Sequence, residues 1–275
     1  MNSNSHSIEI CFASTGNYAP FVATTALSII ENTTEHINFH VLTENFKEND
    51  KNILIKFIQD KNHSIDFIDI SNELKVFQGM ELSCWKSYII CARILIPQLF
   101  FNTSKAIYLD SDIIVDCDIK ELWDVDLKEF TIAAAQDYLT VKDTNIIDLH
   151  LSPEHIYFNS GVLLFDCNKF REKSVTQKIF KLLQSNTHLK YPDQDILNIC
   201  FDNNNYMPLD KTYNSLVFYN IYNQQNTPKI IHYVMAKPWV TKDCFYSEIF
   251  WHYAEQTPYY EQIKRMFRIN RLIFK

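Results

Sequence analysis

Glycine is nearly absent from this chain: Gly16, Gly79 and Gly161 are the only three among 275 residues. A G-x-G-x-x-G dinucleotide loop and a P-loop are thereby excluded, because each needs several glycines to bring backbone N–H groups up to phosphate. A diphosphate ligand would have to be neutralised by side chains and a metal instead. Positive charge is also short, with 26 Lys and Arg against 33 Asp and Glu for a formal net charge of -7. Nucleic acid is therefore not an expected partner, since phosphate backbones call for a basic surface. No apolar run reaches the roughly 20 residues needed to cross a bilayer. The opening MNSNSHSIEI has neither the basic segment nor the apolar stretch of a signal peptide, so a cytoplasmic location is expected. Seven cysteines (Cys11, Cys84, Cys91, Cys117, Cys167, Cys200 and Cys244) form no C-x-x-C pair and are odd in number. They read as buried free thiols of a reducing compartment rather than a zinc site or a disulfide framework.

What is present is ordinary globular material, 47% hydrophobic and 21% charged, enough for one large α/β domain with a substantial core. Strand patterns over Ile8–Ala13, Ile37–Leu42, Ile65–Ile70 and Ala106–Leu109 alternate with helical patterns over Pro20–Asn32, Asn49–Gln59 and Lys86–Leu95. Such alternation predicts parallel βαβ units in a covered sheet. The second half predicts shorter strands at Thr131–Ala135, Val162–Phe165 and Lys229–Tyr233, with helices near Ser174–Leu183 and from about Asp193. The segment AIYLDSDIIV then places Asp110 and Asp112 beyond the carboxyl end of a strand, where open α/β sheets put their ligands. Two carboxylates one residue apart repel each other and are costly to bury without a cation, so the pair is a natural seat for a hard divalent metal. Taken alone, the same D-x-D reads equally well as a polar turn between strands.

Company further along the chain changes that balance. Tyr157, Phe158, Asn159, Ser160 and Gly161 are followed by Asp193, Gln194 and Asp195, then by His232 with Ala236, Lys237, Pro238 and Trp239. In this order and at these separations the chain resembles the retaining glycosyltransferases of family 8, which include bacterial lipooligosaccharide galactosyltransferases and glycogenin. The resemblance runs from about Ile8 to Trp239. It implies an α/β fold with a GT-A-type, Rossmann-like nucleotide-sugar-binding sheet of βαβ units, mixed in its second half. It also implies a metal-dependent retaining hexosyltransferase that moves glucose or galactose from a UDP-sugar to a glycan, lipopolysaccharide or glycoprotein acceptor.

Site residues follow from the same resemblance. Asp110, Asp112 and His232 match the metal ligands, and two carboxylates with one imidazole suit Mn2+, with Mg2+ the second choice. Lys237 matches the lysine on the leaving phosphate, which together with a metal stabilises charge developing there. Donor contacts carry over to Ala13, Thr15, Asn17, Tyr18, Arg93, Asp110, Ser111, Asp137, Asn159, Asp193, Gln194 and Lys237. For Arg93 and Asp137 a structural salt bridge or cap is an equal reading, and Asp193 after Pro192 also reads as a helix N-cap. Gln194, Asp195 and Lys237 are the catalytic candidates. A neutral Gln194 amide is a poor nucleophile, which favours attack on the face of the departing phosphate, while Asp195 stays open as a nucleophile for double displacement.

Two departures stand out. Where relatives carry two acids before Asn-Tyr, this chain reads Ala13, Ser14, Thr15, Gly16, Asn17, Tyr18, which leaves Thr15 to meet uracil. The family's glycine between His232 and Lys237 is missing and the spacing is shortened. Two further readings accordingly remain, a catalytically silent nucleotide-sugar or glycan-binding module and a sugar nucleotidyltransferase.

The organisation expected is a GT-A-like catalytic domain over residues 1–240 and an aromatic, basic helical extension over 241–275. Between Tyr259 and Lys275 the basic residues Lys264, Arg265, Arg268, Arg271 and Lys275 interleave with Phe267, Phe274 and aliphatic neighbours. That pattern suits either an amphipathic helix on an anionic membrane surface near a lipid-linked acceptor or a helix docked on the core. Oligomeric state is not legible in the sequence.

Overall fold

The computed structural model describes residues 7–80, 87–138, 149–185, 189–217 and 227–273. In chain order the first half is β1 (Ile8–Thr15), α1 (Ala19–Glu31), β2 (Ile37–Glu44), α2 (Glu48–Gln59), β3 (Ser64–Asp69), α3 (Ile96–Leu99), β4 (Lys105–Leu109), β5 (Ile113–Val115) and α4 (Lys120–Trp123). There follow β6 (Ile132–Gln136), β7 (Phe158–Asp166), α5 (Cys167–Glu172), α6 (Val175–Leu183), α7 (Pro192–Cys200), β8 (Met207–Leu209), β9 (Ser215–Leu216), β10 (Ile230–His232), α8 (Ser247–Ala254) and α9 (Tyr260–Ile273). The main sheet has 7 strands in the order β3-β2-β1-β4-β7-β6-β8. β1, β2, β3 and β4 run parallel, and β7 is antiparallel to both β4 and β6. This is the α/β, GT-A-like architecture that the sequence predicted. A second sheet of 3 strands, β5-β10-β9, was not anticipated as a sheet, although β10 matches the strand expected over Lys229–Tyr233. Strands of two or three residues carry no periodicity that would assign them to a separate sheet.

Both faces of the main sheet are covered, which is why its strands read as near-continuous apolar runs. One core joins Ile10, Phe12, Phe39 and Leu109 to α1 and to Phe250, Tyr253, Tyr259 and Ile263 of the C-terminal segment. The other joins Cys11, Tyr108, Phe158 and Phe165 to α6, α7 and a 3-10 helix over Tyr88–Leu95. Helix α1 is apolar nearly all round because it lies between the sheet and α8, and Pro20 at its first turn is preorganised for helix entry. The residues from 241 onward thus contribute side chains to the first of these cores.

Two local expectations change. The helical pattern starting at Lys86 is a 3-10 helix from Tyr88, opened by the Ser87 hydroxyl, which accepts from the Ile89 N–H at 3.0 Å, and then α3; Lys86 itself lies outside the described residues. The helix N-cap is Tyr191, not Asp193, and Asp193 turns its carboxylate to Ser160 and Arg93 instead. Among the described residues Cys11, Cys91, Cys117, Cys167, Cys200 and Cys244 are free, and all but Cys117 are buried; Cys84 lies outside them. Burial pushes these thiols up, to about 12 for Cys117, Cys167 and Cys244, so they are inert as nucleophiles.

Candidate metal and donor site

Strand β4 ends at Leu109, and the chain then turns through Asp110, Ser111 and Asp112 into β5. The turn is held from both sides. The Asp110 N–H donates to the Gly161 carbonyl at 2.8 Å, continuing the β4–β7 ladder for one more bond. From below, the Thr25 hydroxyl of α1 reaches the carbonyls of Ser111 (3.0 Å) and Ile113 (2.7 Å), and the Ser28 hydroxyl accepts from the Val115 N–H at 3.0 Å. Thr25 and Ser28 lie three apart on a helix otherwise built for burial, so the only visible sequence signal for this role was a polar pair at helical spacing. Across the small sheet, β10 pairs His232 with Ile113, and the Tyr233 N–H donates to the Asp112 carbonyl at 3.0 Å.

This pairing brings Asp110, Asp112 and His232 together, with one ligand atom from each lying within 4.8 Å of the others. His232 Nε2 is 3.4 Å from Asp112 Oδ1 and 3.7 Å from Asp110 Oδ2. Asp112 Oδ1 is buried and has no hydrogen-bond partner, an arrangement that costs about 1–3 kcal/mol unless something occupies it. Gly161 faces the same space: a Cβ there would lie 2.7 Å from Asp110 Oδ2 and 2.9 Å from His232 Nδ1. An orphaned carboxylate oxygen beside a second carboxylate and an imidazole nitrogen fits a divalent cation that accepts mixed oxygen and nitrogen donors.

The acids are not the unpaired, mutually repelling couple that their spacing suggested. Asp110 Oδ1 accepts from Arg93 (2.9 Å) and from the Tyr108 hydroxyl (2.6 Å). Asp112 Oδ2 accepts from Lys237 Nζ, which also donates to the Tyr233 carbonyl. Burial raises the Asp112 carboxyl, but the Lys237 ammonium bonded to it reverses that and holds it well below the usual carboxylate range.

Arg93 is 5% exposed and fully engaged. It donates to the Ser160 carbonyl (2.7 Å), the Ser160 hydroxyl (2.9 Å) and the Ile90 carbonyl (3.0 Å), and it sits 3.2 Å from Asp193 and over the Tyr108 ring. From Ser160 the network continues through α7. Gln194 Oε1 accepts from the Ser160 N–H at 3.1 Å, and its Nε2 donates to Asp137 at 3.0 Å. Asp137 also accepts from Asn159 Nδ2 at 3.2 Å, and Asn214 links Asn159 to His232. One connected set of bonds therefore contains Arg93, Asp110, Asp137, Asn159, Asp193, Gln194 and His232 among the sequence-predicted residues, with Lys237 bonded to neighbouring Asp112.

The remaining predicted residues stand at the margin of that set. Ala13 and Thr15 end β1, Ser111 is buried within the turn, and Asn17 and Tyr18 are exposed just beyond the strand. Although Tyr18 stays partly exposed, partial burial and then the Asp112 charge raise its phenol. Asp195 points elsewhere: it accepts from the Tyr157 hydroxyl and, at 2.8 Å, from the Tyr191 N–H. Burial pushes its carboxyl up to about 6. Residues that sequence reasoning missed include Tyr108, Asn198 and Asn214. Asn198 makes paired bonds to the Phe158 N–H (2.9 Å) and carbonyl (3.0 Å), seating α7 on the start of β7.

Known proteins similar to this chain include glycosyltransferases. The model of Glycosyl transferase family 8 matches residues 9–243. A putative glycosyltransferase of Haemophilus influenzae is 32% identical over 222 residues, covering 75% of this chain and 66% of that protein. Glycosyltransferase GlyF of Streptococcus pneumoniae is 28% identical over 258 residues, covering 90% of this chain and 61% of its own. The chain thus spans just under two thirds of each of these relatives. The solved galactosyltransferase LgtC in complex with donor and acceptor sugar analogues superposes with a TM-score of 0.78 at 25% identity, covering 91% of this chain and 96% of that one.

Proposed function

Because this chain belongs to glycosyl transferase family 8, we propose that it is a metal-dependent retaining hexosyltransferase moving glucose or galactose from a UDP-sugar to a glycan acceptor, free or carried on lipopolysaccharide or protein. The observation that carries this reading is the convergence of Asp110, Asp112 and His232 around the partnerless Asp112 Oδ1, with Lys237 adjacent. Asp110, Asp112 and His232 would hold Mn2+ or, less suitably, Mg2+, and the cation would neutralise the donor's diphosphate, for which no glycine cradle exists.

In the proposed reaction the acceptor hydroxyl oxygen bonds to the anomeric carbon as the bond from that carbon to the diphosphate oxygen breaks. The departing phosphate oxygen takes the acceptor's proton. Lys237 turns from Asp112 to the diphosphate and stabilises its growing charge. Arg93, Asp137, Asn159, Asp193 and Gln194 bind sugar hydroxyls, and Ala13, Thr15, Asn17, Tyr18 and Ser111 line the nucleoside. Attack and departure on one face are supported by what flanks the site: Gln194 is neutral and bonded at both ends, and Asp195 uses its oxygens on Tyr157 and Tyr191. Asp195 then acts by seating Tyr157 rather than as a nucleophile.

Residues 1–240 are taken as the catalytic domain and 241–275 as an extension that lays α9 on the core while offering an anionic membrane its exposed Arg265, Arg268 and Ile269. Among the described residues no helix is long and apolar enough to cross a membrane.

Incubation with UDP-glucose and UDP-galactose plus Mn2+ should release UDP, and EDTA should abolish that release. Equal binding of UDP in EDTA and in Mn2+ would sink the metal assignment. Tight UDP-sugar binding with no turnover against any glycan would identify a silent binding module instead.

A further inference from the structure

His232 presents one of its two ring nitrogens to the acids, and which nitrogen carries hydrogen is decided several residues away. The anchor is the backbone N–H of Gly161, which can only donate, and it donates to Asn159 Oδ1 at 2.9 Å. The Asn159 amide is thereby oriented with its oxygen toward Gly161 and its nitrogen toward the Asp137 carboxylate at 3.2 Å. The same Asn159 oxygen accepts from Asn214 Nδ2 at 2.9 Å. A side-chain amide has one oxygen and one nitrogen, so Asn214 must turn its oxygen to His232, where Oδ1 and the ring Nδ1 are 2.9 Å apart. An oxygen can only accept, hence Nδ1 carries the hydrogen.

We infer that Asn214 is a positioning residue that holds His232 as its Nδ1–H tautomer and so turns the Nε2 lone pair toward Asp110 and Asp112. Asn214 is fully buried, as the short 3-10 turn over Lys211–Asn214 tucks it beneath β10. It touches none of the acids; it acts through the ring of His232. Free histidine can place its hydrogen on either nitrogen, and in the opposite form an N–H would face the site where the cation binds. Partners beyond the ligands of this kind fix ring orientation and tautomer, and their loss weakens metal binding about 10–100-fold. Asn159 has a double role in this scheme, holding Asn214 on one side and joining Asp137 and Gln194 on the other.

The inference rests on the metal reading above, and the test separates the two. In metal-free protein at pH 8, with 15N-labelled histidine assigned against His232→Gln, long-range 1H–15N correlation should show the His232 hydrogen on Nδ1. Asn214→Leu, close in size but unable to accept, should lose that preference and bind Mn2+ about 10–100-fold more weakly by electron paramagnetic resonance titration. Asn214→Asp, which keeps the acceptor toward Nδ1 although it loses the donor to Asn159, should retain the tautomer and bind Mn2+ more tightly than Asn214→Leu, a rescue that a purely structural role would not produce. A wild-type His232 hydrogen on Nε2, or a folded Asn214→Leu protein with wild-type Mn2+ affinity, overturns the inference. If Asn214→Leu does not fold, the wild-type tautomer and Asn214→Asp still decide it. Wild-type protein that binds no Mn2+ would overturn the metal reading while leaving the tautomer result to stand by itself.

Discussion

Gly161 and the imidazole of His232 share a space with no room for a methyl group: a Cβ on Gly161 would lie 2.9 Å from Nδ1 and closer still to Cε1. The strand that carries Gly161 also supplies, through its carbonyl, the last ladder bond of Asp110. A residue without a side chain thus lets β7 pass close beneath two proposed metal ligands at once.

Gly161→Ala is accordingly expected to push His232 and Asp110 apart. Overpacking of this kind costs about 1–3 kcal/mol, so the protein should stay folded with a lower melting temperature. UDP release should fall by two orders of magnitude or more, and Mn2+ affinity should fall with it. Wild-type Mn2+ affinity in folded Gly161→Ala would show that the ligands do not need this clearance.

Asp112→Ala removes the partner of Lys237 along with the orphaned Oδ1. Had the carboxylate been unpaired, the substitution would leave stability unchanged or slightly raised. With Lys237 bonded to Oδ2, loss of a charged hydrogen bond should instead destabilise by about 1–3 kcal/mol. Turnover should be abolished. Thermal unfolding of the apo protein distinguishes the two outcomes, since a raised melting temperature would mean that the ion pair contributes nothing.

His40 provides a test of electrostatics away from the site. Its ring lies between Glu9 (2.8 Å) and Asp66 (2.9 Å) across three parallel strands. Burial lowers its pKa, but the bonds to Asp66 and Glu9 outweigh that and raise it from 6.5 to about 9. A folded-state value above the unfolded one means that the stabilisation is complete below pH 6.5 and disappears as pH rises through about 9. Denaturant unfolding of wild type and His40→Gln should therefore differ by on the order of 2 kcal/mol near pH 6 and converge above pH 9.5. A gap independent of pH would mean that His40 acts by packing alone.

For the membrane proposal, deletion of Tyr259 onward is a poor probe, because Tyr259 and Ile263 are buried in the core and Phe267 packs edge-on against Trp251 at 5.5 Å. Arg265→Glu with Arg268→Glu changes only exposed positions. Each basic residue near an anionic surface contributes about 1 kcal/mol, so the double variant should lose sedimentation with anionic liposomes at low salt while its melting temperature and UDP release hold. Failure of the wild type to bind such liposomes would reduce α9 to a docked structural helix.

Sequence alone settled what depends on local periodicity and on residue chemistry at fixed spacing. Alternating apolar runs such as Ile8–Ala13 and Pro20–Asn32 placed most strands and helices within one or two residues, and three glycines excluded every glycine-built phosphate loop. Asp110 and Asp112 were legible because they sit one residue apart just past a buried strand. Tertiary structure decided the pairings that cross the chain. That Lys237 neutralises Asp112, that Arg93 spans Asp110 and Asp193, and that Thr25 and Ser28 pin the acidic turn all depend on how α1, α7 and the small β5-β10-β9 sheet meet β4. Asn214 was invisible for the same reason. A buried amide has no periodicity and no motif, and its role comes only from the groups that folding sets against its two ends.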